Sequence, residues 1–112
     1  MLGKILASAR RVVVKIGSSL ITSKDQGLLF DRIDQLAADV AALRATKREV
    51  LVVSSGAVAT GLHKLGIAER PKSLPIKQAA AAVGQSRLMW AYEKAFERLN
   101  LKVAQILLTH QD

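Results

Sequence analysis

One lysine and a short glycine- and serine-containing turn stand together near the amino end of the sequence. Lys15 lies inside an apolar run, and Gly17, Ser18 and Ser19 follow it. An ammonium group can stabilise the charge on a phosphoryl group in transfer, and glycine lets backbone N–H groups approach an anion closely. The structural alternative is a lysine at a sheet edge that extends its charged end into water. Periodicity alone favours neither interpretation of Lys15.

A second small turn follows the next apolar run of the chain. It consists of Ser55, Gly56 and Ala57, and a helical pattern begins there. Free N–H groups at the start of a helix attract anions. Either turn alone is often only a tight connection, but ligands of open α/β sheets bind beyond the carboxyl ends of the strands. Two such turns at one sheet edge therefore predict an anion-binding site.

The standard nucleotide, metal and acyl-transfer motifs are missing from the sequence. Residues 56–61 have the glycine spacing of a P-loop, but Leu62 and His63 replace its lysine and its serine or threonine. His63 and His110 lack metal-ligand spacing, so we predict no metal ligands in this chain and place His63 on a helix surface. Ser55 lacks the glycine pattern of a nucleophile elbow, so acyl transfer is not expected.

These turns need strands and helices to position them, and the hydrophobic pattern predicts both. Apolar, β-branched runs predict three strands, at 12–16, 49–54 and 102–109. The first is expected to be buried on both faces, as in a parallel sheet, and the second is also expected to be buried. Helical periodicity predicts three helices, at 31–44, 57–65 and 76–99. A loop with both prolines, 68–75, precedes the last helix. The apolar stripe of that helix slips in phase across 84–87, which predicts a kink or a change of packing partner.

The order of these elements predicts an α/β domain. Strands that alternate with helices form right-handed crossovers and a parallel sheet with helices on both faces, which is a three-layer sandwich. Three strands make a thin sheet, so we expect residues 1–112 to be the amino-terminal portion of a larger domain. An exposed apolar face and edge would then favour homo-oligomers or swapped assemblies.

Composition excludes several classes of function. The chain carries 17 Lys and Arg against 9 Asp and Glu, for a net charge of +8. The basic residues form no block, and the few aromatic residues lie mostly at helical spacing, so we expect no nucleic-acid partner. The absence of cysteine removes disulfides, thiolate metal sites and cysteine nucleophiles. No apolar run is long enough to cross a membrane, so we expect a cytoplasmic protein without a membrane partner.

Four segments, in order, resemble the amino-acid kinase family; they are residues 13–22, 52–61, 77–89 and 104–109. The first and second contain K-x-G-S-S and S-G-A, which the family shares widely. The third, K-Q-A-A-A-A-V-G-Q-S-R-L-M, is similar to the members that phosphorylate glutamate. The resemblance covers the chain from about residue 11 to its last residue.

The resemblance implies ATP-dependent phosphoryl transfer to the side-chain carboxylate of L-glutamate, giving L-glutamyl 5-phosphate in the first step of proline synthesis. It implies Mg²⁺ that arrives with the nucleotide, and proline as a feedback inhibitor. On this sequence, it implies that Lys15 stabilises the transferring group and also binds ATP phosphate. The other ATP phosphate-binding residues that it implies are Gly17, Ser18 and Ser19. The residues implied to hold glutamate are Ser55, Gly56 and Ala57.

The chain differs from this family chiefly in length. The family's kinase domain is much longer, its later part carries most of the ATP pocket, and many members add a PUA domain. We therefore expect this chain to be inactive alone. One alternative is a stand-alone anion-binding or assembly module whose long helix, with Trp90, Tyr92 and Phe96, forms an interface. Another is a family member with a different acceptor, namely N-acetylglutamate, aspartate or a nucleoside monophosphate, which segment 77–89 disfavours.

Overall fold

The computed structural model describes residues 2–108, and it confirms an α/β fold with a parallel sheet. The elements in chain order are α1 (Leu2–Ser8), β1 (Arg11–Ile16), α2 (Ser18–Ile21), β2 (Thr22–Ser23), β3 (Gly27–Leu28), α3 (Phe30–Ala45), β4 (Glu49–Ser54), α4 (Ala57–Leu65) and α5 (Leu74–Glu97). Strands β1 and β4 pair in parallel, and β2 and β3 form a small antiparallel hairpin. None of the helices in these residues is both long and apolar enough to cross a membrane.

Helices α3 and α4 lie where the hydrophobic period predicts them. Helix α3 buries a stripe of Ile33, Ala37 and Val40, and it carries Asp31 in its first turn and Arg44 in its last. Those charges complement the helix dipole. Helix α4 has the predicted bounds, whereas α5 begins two residues earlier than predicted. The predicted loop extends to Pro75, but proline is well tolerated in the first turn of a helix, where its missing N–H group has no intrahelical partner.

The sheet is buried on one face, so the prediction that its strands are buried on both faces is wrong. Val14, Val52 and Ile16 lie in or against a core that α3 and α5 complete. The opposite face exposes Val13 at 61%, Leu51 at 38% and Val53 at 52%. The reason is that α3 and α5 pack on the same side of the sheet, so the helical layers predicted on both faces reduce to one in the described residues. Because Val13, Leu51 and Val53 on the open face are as apolar as the residues of the covered face, the hydrophobic pattern does not reveal which face is covered.

The predicted third strand, 102–109, is not formed in its described part. Residues 101–108 have no regular secondary structure, although Leu101 and Val103 pack against the core. Ile106 and Leu108 are 69% and 91% exposed. An apolar run becomes a strand only where a neighbouring strand accepts its hydrogen bonds, and residues 102–108 form no backbone hydrogen bond with the rest of the described chain. The last predicted strand residue, 109, lies outside the described residues.

Helix α5 is continuous across Gly84, and the phase slip corresponds to a change of packing partner. Its first half lies against α4, where Ala80 and Gly84 are buried. Its second half joins α3 in the core through Leu88, Tyr92 and other buried residues. At the surface, Arg98, the residue that follows α5, forms an ion pair of 2.9 Å with Asp34 of α3. One helix therefore contacts two different parts of the fold.

Candidate functional site

The structure brings the two predicted turns to one edge of the sheet. Strands β1 and β4 run in parallel, with Ile16 opposite Ser54, so both end at the same level. Beyond them, the backbone N–H of Ser55 donates a hydrogen bond of 2.9 Å to the carbonyl oxygen of Ile16. This bond joins the start of one turn to the residue before the other.

The first turn opens into free space. Gly17 is the residue before α2, in extended conformation, and a Cβ built on it meets no heavy atom of the described residues within 4 Å. Ser18 and Ser19 are the first residues of α2, and among residues 2–108 no side chain caps this end of the helix. The other end is held in place, because Thr22 Oγ1 donates a 2.7 Å hydrogen bond to the Ser18 carbonyl and Arg32 Nη1 donates one of 3.1 Å to Leu20. The first-turn N–H groups of α2 therefore have no side-chain acceptor at their helix cap.

The second turn depends on glycine for its backbone conformation. Gly56 has φ of 116°, a left-handed value that disfavours residues with a Cβ, and it precedes Ala57 at the start of α4. It lies beside α2, since a Cβ at this position would be 3.7 Å from Ser18 Cβ and 3.5 Å from Thr22 Cγ2. Within the described part of the chain, no side chain caps α4, and no acidic residue lies in the first turn of this helix. The positive end of this helix dipole is therefore open to an anion.

Lys15 is exposed, so the expectation that it lies in a strand buried on both faces is wrong. It lies on the open face of the sheet beside Val53, and the residues between 2 and 108 provide it with no ion pair or hydrogen bond. A lysine buried on both faces would need a partner, but this lysine reaches water without cost. The structure places it one residue before the strand end without fixing its ammonium group at either turn. Its role rests on the family resemblance and stays a prediction.

His63 has a structural position on the surface of α4, as expected. Its Nε2 lies 3.2 Å from the carbonyl oxygen of Asp25, and its ring packs against Gly27 in the β2–β3 hairpin. It therefore connects α4 to that hairpin. His110 lies outside the described residues. Within the described part of the chain, no group of three or more His, Cys, Asp and Glu side chains is placed to hold a metal ion.

Tyr92 contacts the end of β4, which the sequence pattern did not predict. Its hydroxyl oxygen lies 2.7 Å from Ser54 Oγ, directly before the second turn. Burial raises the pKa of Tyr92 above its usual value of 10.0, and the hydrogen bond with Ser54 partly opposes this. Tyr92 is therefore neutral at physiological pH. The available signal was a tyrosine on the apolar stripe of α5, because a buried tyrosine needs a partner for its hydroxyl group.

Glycines bring α4 and α5 into backbone contact, which the hydrophobic pattern of the sequence does not predict. A Cβ on Gly84 would overlap the carbonyl oxygen of Ala57 and lie 2.6 Å from the backbone nitrogen of Gly61. A Cβ on Gly61 would overlap the carbonyl oxygen of Ala80. The two glycines thus permit an approach that no other residue type allows. Ala57, the first residue of α4, is fixed in position by this contact.

The fold is α/β, and at one edge of its parallel sheet two strands are followed by turns that lead into helices without a side-chain cap. Residues 10–112 match the sequence profile of the amino acid kinase family. Because this match covers nearly the whole chain, the chain belongs to that family. The resemblance inferred from the four sequence segments is therefore confirmed.

Within the family, the chain is similar to proteins named glutamate 5-kinase. That of Geobacter sulfurreducens is 58% identical over 108 residues, which are 96% of this chain and 29% of the relative. That of Geobacter metallireducens is also 58% identical over 108 residues, and that of Cupriavidus metallidurans is 52% identical over the same length. The chain thus spans about 29% of the length of these curated relatives.

Proposed function

We propose that this chain is the amino-terminal portion of an ATP-dependent glutamate 5-kinase. The reaction moves the terminal phosphoryl group of ATP to the side-chain carboxylate of L-glutamate and gives L-glutamyl 5-phosphate. The observation that carries the proposal is the pair of uncapped turns at one sheet edge, joined by the Ser55–Ile16 hydrogen bond, in a chain 58% identical to a glutamate 5-kinase. The nucleotide-binding part and any PUA domain would lie outside these 112 residues.

Glutamate is assigned to the second turn. Ser55 offers an exposed hydroxyl group, and the uncapped start of α4 at Gly56 and Ala57 offers backbone N–H groups. A carboxylate at this position is favoured by the helix dipole. Hydrogen bonds to a charged group contribute about 1.5–3 kcal/mol each, so a few of them suffice to orient a small amino acid. Orientation matters because the acceptor oxygen must lie in line with the leaving group.

The phosphate path is assigned to the first turn and to Lys15. The space beside Gly17 allows a phosphate oxygen to approach the backbone, and the first residues of α2, Ser18 and Ser19, are not capped. Lys15 is exposed and has no partner among the described residues, so its ammonium group is available to the phosphoryl group in transfer. Donors that act on developing charge contribute about 2.7–4 kcal/mol each. Mg²⁺ would be carried by the nucleotide phosphates, and we assign no metal ligand to this chain.

The wider assignment follows the family and the relatives. We propose a cytoplasmic enzyme of proline synthesis that proline inhibits and that acts as a homo-oligomer, with no nucleic-acid or membrane partner. We also propose that residues 1–112 alone are inactive, because most of the ATP pocket is expected beyond them. The open sheet face, with Val13, Leu51 and Val53 exposed, supports both the missing part and the oligomer.

The test is a chimera in which this chain replaces the 108 matching residues of the Geobacter sulfurreducens relative. Formation of γ-glutamyl hydroxamate from L-glutamate, ATP, Mg²⁺ and hydroxylamine reports the activity. We expect an active chimera, and a loss of about 10²–10³-fold on Lys15→Ala. Lys64→Ala, at an exposed lysine near the end of α4, is the matched control and should retain activity. A chimera inactive with glutamate, or equal rates for both variants, would contradict the proposal.

A stand-alone anion-binding module remains the second candidate, because both turns are complete within these 112 residues. Chemical-shift titration of the chain with phosphate and with L-glutamate separates the two. Saturable shifts for phosphate alone would favour the module. Saturable shifts at Ser55–Ala57 for glutamate would favour the kinase assignment.

A further inference from the structure

Helix α5 contacts the chain on either side of the second turn, at Ser54 directly before it and at Ala57, its last residue. At the amino end, the Tyr92 hydroxyl lies 2.7 Å from Ser54 Oγ. At the carboxyl end, Gly84 lies against the carbonyl oxygen of Ala57. Gly84 and Tyr92 are both buried on this one helix, a little over two turns apart. The turn Ser55–Ala57 is therefore held between two fixed points of a single rigid element.

Two hydrogen bonds meet at Ser54 Oγ, at the amino end of the turn. Ser54 Oγ donates a 3.0 Å hydrogen bond to the carbonyl oxygen of Ser55. Either hydroxyl can donate in the bond between Tyr92 and Ser54, and because a serine hydroxyl has only one proton, Tyr92 is the donor whenever Ser54 donates to the Ser55 carbonyl. The chain of bonds runs from α5 through Ser54 to the backbone of the turn. It depends on the tyrosine hydroxyl and not on the aromatic ring.

The contact at the carboxyl end depends on the absence of a side chain. A methyl group at Gly84 would overlap the Ala57 carbonyl oxygen and would also approach Gly61 of the same helix. The neighbouring atoms are backbone, which cannot rotate away as the end of a flexible side chain can. Helix α4 would have to move as a unit, and Ala57 would move with it.

We propose that Tyr92 and Gly84 are positioning residues that fix the Ser55–Ala57 turn in the geometry required to bind glutamate. The inference rests on the proposed function, since it takes this turn as the glutamate-binding one. The first turn is held by other residues, because Thr22 and Arg32 fasten α2 through its carbonyl groups. Changes at Tyr92 and Gly84 should therefore weaken glutamate binding and leave phosphate binding at Gly17–Ser19 intact.

The experiment uses the whole 112-residue chain with Tyr92→Phe, which removes the hydroxyl and keeps the ring. Trp90→Phe, at an exposed aromatic residue of the same helix, is the matched control. Dissociation constants for L-glutamate and for inorganic phosphate are measured by amide chemical-shift titration. Loss of one positioning hydrogen bond should raise the glutamate constant about fivefold. The phosphate constant should stay the same, and Trp90→Phe should change neither.

A general loss of structure would raise both dissociation constants together. The ratio of the glutamate constant to the phosphate constant therefore distinguishes a loss of positioning from a loss of folding. Glutamate binding that Tyr92→Phe leaves unchanged, or a parallel rise in both constants, would overturn this inference alone. Gly84→Ala gives the second variant, with the same expected selectivity. An unsubstituted chain that binds phosphate at saturation but not glutamate would contradict the proposed function, and the inference with it.

Discussion

Replacing Gly84 by alanine should destabilise the protein, although alanine is the better helix former. Helix propensity alone predicts a gain of about 1 kcal/mol for this change in the middle of α5. The structure opposes this gain, because the added Cβ would overlap the Ala57 carbonyl oxygen and lie 2.6 Å from the Gly61 nitrogen. Overpacking of this kind costs about 1–3 kcal/mol, and more where backbone has to move. Because the overlapped atoms are backbone, we take the upper part of this range, about 2–3 kcal/mol, and after subtraction of the propensity gain the free energy of unfolding should fall by about 1–2 kcal/mol.

Urea unfolding followed by circular dichroism measures this free energy. Gly17→Ala is the matched control, because Gly17 has φ of −74° and its added Cβ meets no atom within 4 Å. At such a compatible site, alanine should be neutral or stabilise by about 0.4–1 kcal/mol through the unfolded state. The sign of the effect therefore separates the two positions. A Gly84→Ala protein as stable as the original, or more stable, would refute the close contact between α4 and α5.

Three further predictions concern other parts of the fold. Thr60→Val should raise the melting temperature, because Thr60 Oγ1 is buried with no hydrogen-bond partner in the described chain. Burial of such a hydroxyl group costs about 1–3 kcal/mol of stability. A lower melting temperature would show that the hydroxyl group is hydrogen-bonded. Tyr92, the single tyrosine, should titrate above its usual pKa of 10.0 in phenolate absorbance, since burial favours its neutral form. Its contribution to stability is complete below pH 10.0 and is lost as pH rises through the raised pKa, so Tyr92→Phe should lessen the alkaline decline in unfolding free energy, and an equal decline would contradict this. Sedimentation should show self-association through the open sheet face, which exposes Val13, Leu51 and Val53. Leu51→Lys should weaken this association, and a monomer at all concentrations would contradict self-association through this face.

The local hydrophobic pattern predicted those helices and strands whose formation depends mainly on residues close in sequence. The β-branched runs gave β1 and β4, and the apolar period gave α3 and α4 almost to the residue. Segment 102–108 has the same apolar character but forms no strand, because pairing depends on a neighbouring chain segment. Helix α2 and the β2–β3 hairpin were missed because elements of two to four residues carry no measurable period.

The sequence predicted where the two turns of the candidate site lie, but not the contacts that hold them in position. Glycine and serine after two apolar runs located both turns, since the ends of parallel strands meet at one edge. The environment of Lys15 was not predictable, because Val13 on the same face of β1 is as apolar as the residues of the covered face. The bond between Tyr92 and Ser54 joins residues 38 positions apart, and no local pattern encodes it. Gly84 did leave a signal, but a glycine inside a helix indicates a close contact without naming the partner.

The most direct test of the central claim is steady-state kinetics on the chimera with the Geobacter sulfurreducens relative. The claim is that the Ser55–Ala57 turn binds glutamate, whereas Lys15 acts on the phosphoryl group. Ser55→Ala should raise KM for glutamate by about tenfold or more and leave KM for ATP unchanged. Lys15→Ala should lower kcat with little effect on KM for glutamate. A rise in KM for ATP on Ser55→Ala, with KM for glutamate unchanged, would contradict the assignment of the two turns.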